Sequence, residues 1–151
     1  QHDMDASPLF PRFEVPLTGR SRFPADAALT QALARACEAV LALPQPFGPA
    51  AEALGVSRPA LHRGLIVSGD RFVGAASECA SLRQALPDAL AVEMEGAALA
   101  QACHDLGLPF AVLRSISDRA DDSAHVDFMR FIDEVASRAS AAIVDGWLSA
   151  R

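Results

Sequence analysis

The chain has 151 residues, enough for one domain with a buried core, and 51% of them are hydrophobic, too many for a disordered segment. Its 13 basic and 19 acidic side chains leave a net charge of -6 with no basic run, which argues against a nucleic-acid surface. No apolar stretch approaches the roughly 20 residues needed to cross a bilayer. Cys37, Cys79 and Cys103 are odd in number, widely spaced and without a Cys-x-x-Cys pair, the pattern of reduced thiols in a cytoplasmic protein.

Residues 1–22 have no sustained period, and Pro8, Pro11 and Pro16 oppose a helix or a central strand. His2, Asp3 and Asp5 form a polar cluster that reads as solvated or hydrogen-bonded, so no metal is expected. Leu9, Phe10 and Phe13 are hydrophobics in the same loop and need cover from the core or from a partner chain. Pro24 suits the first turn of a helix running to about residue 43. Leu29, Ala32, Leu33, Ala36, Cys37, Val40 and Leu41 recur at helical spacing and read as core. Pro44 ends that helix, and 44–59 is a connecting loop with at most a short helical turn near 50–54.

The spacing then predicts a strand over 61–68, ending in Ser68-Gly69-Asp70-Arg71-Phe72-Val73-Gly74. Glycines after a strand allow a tight turn and close approach of backbone to a ligand, although no phosphate-binding glycine motif is present. A helix is predicted over 76–86, a strand over 90–93 and a helix over 95–106 whose small face is Ala97, Ala98, Ala102 and Cys103. At that strand-to-helix switch stands Val92-Glu93-Met94-Glu95-Gly96. Period-two alternation would project Glu93 and Glu95 from one face, beside the positive end of the following helix. By itself a Glu-x-Glu also reads as a solvated strand end.

Residues 110–116 are predicted as a third strand, giving way to Ser117-Asp118. From 123 or 124 a helix should run to about 150, with Phe128, Phe131, Ile132, Val135, Ala139, Ala142, Ile143 and Trp147 along one face. Alternating strands and helices imply an α/β domain with a largely parallel sheet. Ligands of such sheets collect at the carboxyl ends of the strands, where all three polar clusters lie.

Three blocks carry a family resemblance: Gly64-Leu65-Ile66-Val67-Ser68-Gly69-Asp70-Arg71-Phe72, Val92-Glu93-Met94-Glu95-Gly96-Ala97-Ala98, and Val112-Leu113-Arg114-Ser115-Ile116-Ser117-Asp118. In order and spacing, and on into His125 to Phe131, they resemble the nucleoside phosphorylase and nucleosidase superfamily, above all 5′-methylthioadenosine/S-adenosylhomocysteine nucleosidases. The resemblance implies a three-layer α/β/α fold with a parallel or mixed central sheet. It also implies that residues 1–151 are a single domain, the C-terminal portion of a longer nucleosidase, because the family's water-activating glutamate and glycine-rich stretch find no match. The 151 residues alone are therefore expected to turn over poorly.

Carried residue by residue, the resemblance implies that Phe72 stacks on the purine and backbone around Phe72 and Val73 reads its polar edge. Met94 packs beneath the ribose and Glu95 accepts hydrogen bonds from both ribose hydroxyls, with Glu93 in a neighbouring or structural role. Phe128 helps enclose the 5′-alkylthio group. Asp118 is implied as the acid that assists the departing purine at N7, Ser117 orients it and Arg114 balances charge. A positioned acid accelerates such a departure about 10²–10⁴-fold, and to hold its proton near neutral pH it needs a pKa raised by burial. Without the resemblance, a Ser-Asp pair reads as well as a turn or helix cap. The implied reaction is hydrolysis to adenine and a thioribose by a homodimer without metal or organic cofactor. The alternatives are a phosphorylase of the same superfamily, a futalosine-type substrate, or a nucleoside-binding member without turnover.

Overall fold

The computed structural model describes residues 9–56, 58–117 and 128–150. In chain order these form α1 (Ala27–Leu41), α2 (Pro49–Ala53), β1 (Leu65–Ser68), α3 (Ala76–Ala85), β2 (Ala89–Glu93), α4 (Gly96–Asp105), α5 (Phe128–Phe131), a π-helical stretch (Ile132–Ala136) and α6 (Ser137–Ser149). They divide into two compact units, one drawn from Gln1–Asp26 and Arg63–Val112, the other from Ala27–His62 and Leu113–Arg151. The class is α/β with a parallel sheet, as the alternation of strand and helix patterns predicts. No helix among the described residues is long and apolar enough to cross a membrane.

In the first unit β1 and β2 pair in parallel, with Ile66 opposite Ala91, Val67 opposite Val92 and Ser68 opposite Glu93. Parallel neighbours cannot be joined by a tight turn, and α3 occupies the crossover between them. Val67 is fully buried and packs with Phe13, Leu82 and Leu86, flanked by Leu65, Ala89 and Val92. Phe13 thus finds its cover in its own unit, whereas Leu9 stays 82% exposed. The backbone of Phe13 sits at φ 70°, a region that costs an L-residue about 1–2 kcal/mol. Burying a phenyl ring offsets this with about 1.5–3 kcal/mol. The segment is braced by Thr18 Oγ1–H donating to the Val15 carbonyl at 2.7 Å, and Val15 N–H to Arg20 at 2.8 Å. Arg22 forks onto the two oxygens of Asp88 at 2.7 and 3.0 Å, tying the opening segment to the turn before β2.

The third strand expected over 110–116 is not formed: among the described residues the sheet has two strands. Asp26 N–H donates to the Phe110 carbonyl at 2.7 Å, but no ladder follows. This apolar run is divided between the units at Val112 and Leu113, and Leu113 packs on the core of the second. Apolar composition states a preference for burial, while a strand also requires a neighbour offering a sheet edge.

The second unit is helical. α1 buries Ala34, Cys37 and Val40, beginning at Ala27 and not at Pro24. Cys37 and Val40 pack with Phe131, Val135, Ala139 and Ile143, capped by Phe47 and Ala51 from the loop that the sequence left without a core role. The buried positions Phe131, Val135, Ala139 and Ile143 advance in steps of four, which overshoots an α-helical turn by about 40° each time. The π-helical turn at Ile132–Ala136 holds more residues per turn and takes up part of that drift. Ser137 Oγ–H donates to the Asp133 carbonyl at 2.8 Å there, and Arg130 pairs with Glu134 at 2.9 Å. Ile132, expected on the core face, is turned outward at 36% exposure.

Candidate active site

Because β1 and β2 run parallel with Ser68 opposite Glu93, the loops after both strands leave the same edge of the sheet. Gly69 N–H donates to the Glu93 carbonyl at 3.0 Å and carries the ladder one step into the first loop. One loop then bears Phe72 and Val73, and the other Met94 and Glu95.

The centre of this edge is a buried polar knot. Ser68 and Glu93 are the polar side chains buried among the described residues, and they meet: Ser68 Oγ–H donates to Glu93 Oε1. Glu93 Oε2 also accepts from Glu95 N–H at 3.0 Å. Gly96 N–H divides between the two carboxylate oxygens at 3.0 and 2.8 Å. Ser68 Oγ in turn accepts from Ala97 N–H at 2.7 Å. These partners of Glu93 are all donors, as an acceptor-only ionised carboxylate requires. The Glu95 and Gly96 amides among them are groups that an α-helix leaves unsatisfied at its start, so the carboxylate rests against the positive end of α4. Burying a carboxylate without such partners would cost several kcal/mol.

Gly96 allows the approach. A Cβ there would stand 3.0 Å from Glu93 Oε1 and 3.3 Å from its carboxyl carbon, tighter than ordinary contact. The constraint at this glycine is space, not backbone angle: a methyl group there would press the Glu93 carboxylate aside by a few tenths of an ångström.

The expectation that Glu93 and Glu95 share one face is corrected. β2 ends at Glu93, so the period-two rule does not reach Glu95, which is the N-cap residue of α4 at φ -126°, ψ -28°. Glu93 is buried at 7% exposure and Glu95 is exposed. The small face of α4 is corrected too: Ala97 and Ala100 are buried, while Ala98 and Ala102 are exposed.

Beside Glu95, Met94 is 45% exposed; Phe72 is 47% exposed and Val73 half-buried. In the second unit Arg114 is exposed, and Ser117 and Phe128 are half-buried. Asp118, with His2, Asp3, Asp5 and His125, lies outside the described residues. Sequence reasoning placed Ser68 at the end of its strand, where a glycine-bearing loop begins, but missed its bond to Glu93. The signal was a serine ending one strand of a parallel pair where the other ends in glutamate. Among the described residues no three His, Cys, Asp or Glu side chains are grouped as metal ligands would be.

A family model described as the phosphorylase superfamily matches residues 1–148. Among solved structures, the chain is similar to 5′-methylthioadenosine/S-adenosylhomocysteine nucleosidase from Neisseria meningitidis in complex with methylthio-immucillin-A. Identity is 34% and the TM-score 0.76, over 99% of this chain and 58% of that one. Futalosine hydrolase of Helicobacter pylori is similar at 29% identity and a TM-score of 0.73, over 100% of this chain and 57% of that one. S-adenosylhomocysteine nucleosidase from Streptococcus pyogenes in complex with 5-methylthiotubericidin matches at 30% identity and 0.70, over 97% and 55%. The chain therefore spans less than three-fifths of the length of these relatives.

Proposed function

The chain belongs to the phosphorylase superfamily, and on that premise we propose that its full-length protein is a purine nucleosidase acting on 5′-methylthioadenosine and S-adenosylhomocysteine. The observation that carries the proposal is an exposed Glu95 at the carboxyl edge of a parallel sheet, with Met94 beside it, in a chain 34% identical to a nucleosidase of that specificity. Glu95 accepts hydrogen bonds from the two ribose hydroxyls, a task for a carboxylate that carries no competing donor. Met94 lies under the sugar, Phe72 stacks on the purine with Val73 at its edge, and Phe128 covers the 5′ substituent. As the glycosidic bond breaks, its electron pair leaves with the purine, Asp118, oriented by Ser117, supplies the proton at N7, and water adds to the anomeric carbon of the ribose with loss of a proton. Arg114 balances the negative charge gathered around these carboxylates. The residues form one domain of a homodimer; sedimentation of the full-length protein at micromolar concentration as a monomer would reject the dimer.

Adenine release from 5′-methylthioadenosine, followed with and without inorganic phosphate, tests the reading. Release that is independent of phosphate is expected; strict dependence on phosphate would make the protein a phosphorylase. The likeness to futalosine hydrolase favours one second reading, a futalosine-type substrate on the same purine and ribose contacts. A higher kcat/KM for a 5′ substituent bearing a carboxyaryl group than for the methylthio group would select it.

A further inference from the structure

We propose that Glu93 is a positioning residue: with Ser68 it fixes the backbone of Glu95, and so sets how strongly the protein distinguishes a riboside from a sugar lacking the ribose hydroxyls. The inference rests on the assignment of Glu95 as the ribose carboxylate.

An α-helix is ordinarily capped by the side chain of its own N-cap residue. Here that residue is Glu95, and its side chain makes no capping bond. The cap comes instead from two side chains outside the helix, Glu93 on the Glu95 and Gly96 amides and Ser68 on the Ala97 amide. One consequence follows for Glu95. Its main chain is held by a bond from its own N–H to a carboxylate that is itself locked, by Ser68 on the neighbouring strand and by Gly96.

The two glutamates therefore divide the work. The buried one satisfies the helix end, and the exposed one is the carboxylate assigned to the sugar. A ligand carboxylate has to be held to within about 0.5 Å of its working position, and a shell of locked partners provides that. Ser68 belongs to the same device because its single hydroxyl proton goes to Glu93 while its lone pair takes Ala97 N–H. Removing it loosens the carboxylate and leaves an amide of α4 without that acceptor.

The test compares kcat/KM of the full-length protein for 5′-methylthioadenosine and for its 2′,3′-dideoxy analogue. Glu93→Gln keeps the volume but turns an NH2 group toward amides that need an acceptor. It should cut the preference for the riboside about tenfold, because a charged hydrogen bond has lost its geometry. Ser68→Ala should act in the same direction by about threefold. Equal losses on both substrates, with the preference unchanged, would show that the knot serves only the fold and would overturn the proposal. Should Glu93→Gln fail to fold, Ser68→Ala decides by the same ratio. If the unsubstituted protein cleaves no purine riboside, the functional reading falls, and positioning is then decided by amide hydrogen exchange. Faster exchange in Glu93→Gln confined to Glu95, Gly96 and Ala97 supports it, and unchanged exchange there refutes it.

Discussion

The two units bury different chemistry. The helical one packs a continuous apolar cluster of Cys37, Val40, Phe47, Ala51, Phe131, Val135, Ala139 and Ile143. The sheet unit has a smaller cluster around Val67, and next to it the two polar side chains buried among the described residues, Ser68 and Glu93. Apolar burial is nondirectional and gives stability, whereas a buried carboxylate with fixed donors gives geometry. Substitutions in the two units should therefore differ in kind as well as in size.

The largest expected effect cuts across that division. Asp118 falls in the sequence range of the helical unit, outside the described residues. In the full-length protein Asp118→Asn should lower kcat for adenine release about 10²–10⁴-fold, with little change in the urea midpoint. Activity near the parent level would remove Asp118 from the chemistry. Next, Ile143→Ala should destabilise by about 2–5 kcal/mol in urea unfolding without altering the riboside preference defined above. A changed preference would mean that apolar packing in the helical unit also tunes the sugar site.

Gly96→Ala sharpens the contrast from the other side. Alanine inside a helix ordinarily stabilises by about 0.5–1 kcal/mol relative to glycine. Here its methyl group would press on the Glu93 carboxylate, and overpacking costs about 1–3 kcal/mol. A net loss of about 1 kcal/mol, read from the urea midpoint, is expected; a gain would show that the carboxylate moves aside freely. The smallest effect belongs to Arg22 and Asp88. The Arg22 guanidinium holds the Asp88 carboxyl below its usual value of 3.8. A depressed folded-state pKa contributes stability above the unfolded value and loses it as pH falls through the folded one. The Tm difference between the parent and Arg22→Ala should thus be present at neutral pH and close below about pH 4. Both side chains are about half exposed, so the difference should be small and should shrink further in salt.

Much of this was readable from residue pattern. Stripes of apolar residues placed α1, α3 and α4 within a few positions, because helical spacing and bracketing prolines and glycines are local signals. The one helix expected from 123 or 124 to about 150 is, among the described residues, α5, the π-helical stretch and α6. The β1 and β2 runs were equally local. What escaped depends on contacts remote in sequence. The 110–116 run has strand composition but no ladder partner among the described residues. The opposite fates of Glu93 and Glu95 follow from where β2 stops, which the alternation rule cannot decide. The bond between Ser68 and Glu93 joins residues 25 apart through strand register, and Phe13 reaches its core through a backbone angle that no propensity favours.

The chain passes between the units three times, after Asp26, His62 and Val112. Helix α1 therefore leaves the ribosome long before α6, the element it packs against. At about 5–20 residues per second, its apolar stripe waits on the order of five to twenty seconds for that partner. During synthesis the sheet unit can close first, while Cys37 and Val40 have Phe47 and Ala51 to hand but still lack Ala139 and Ile143, the moment at which a holding chaperone would matter most.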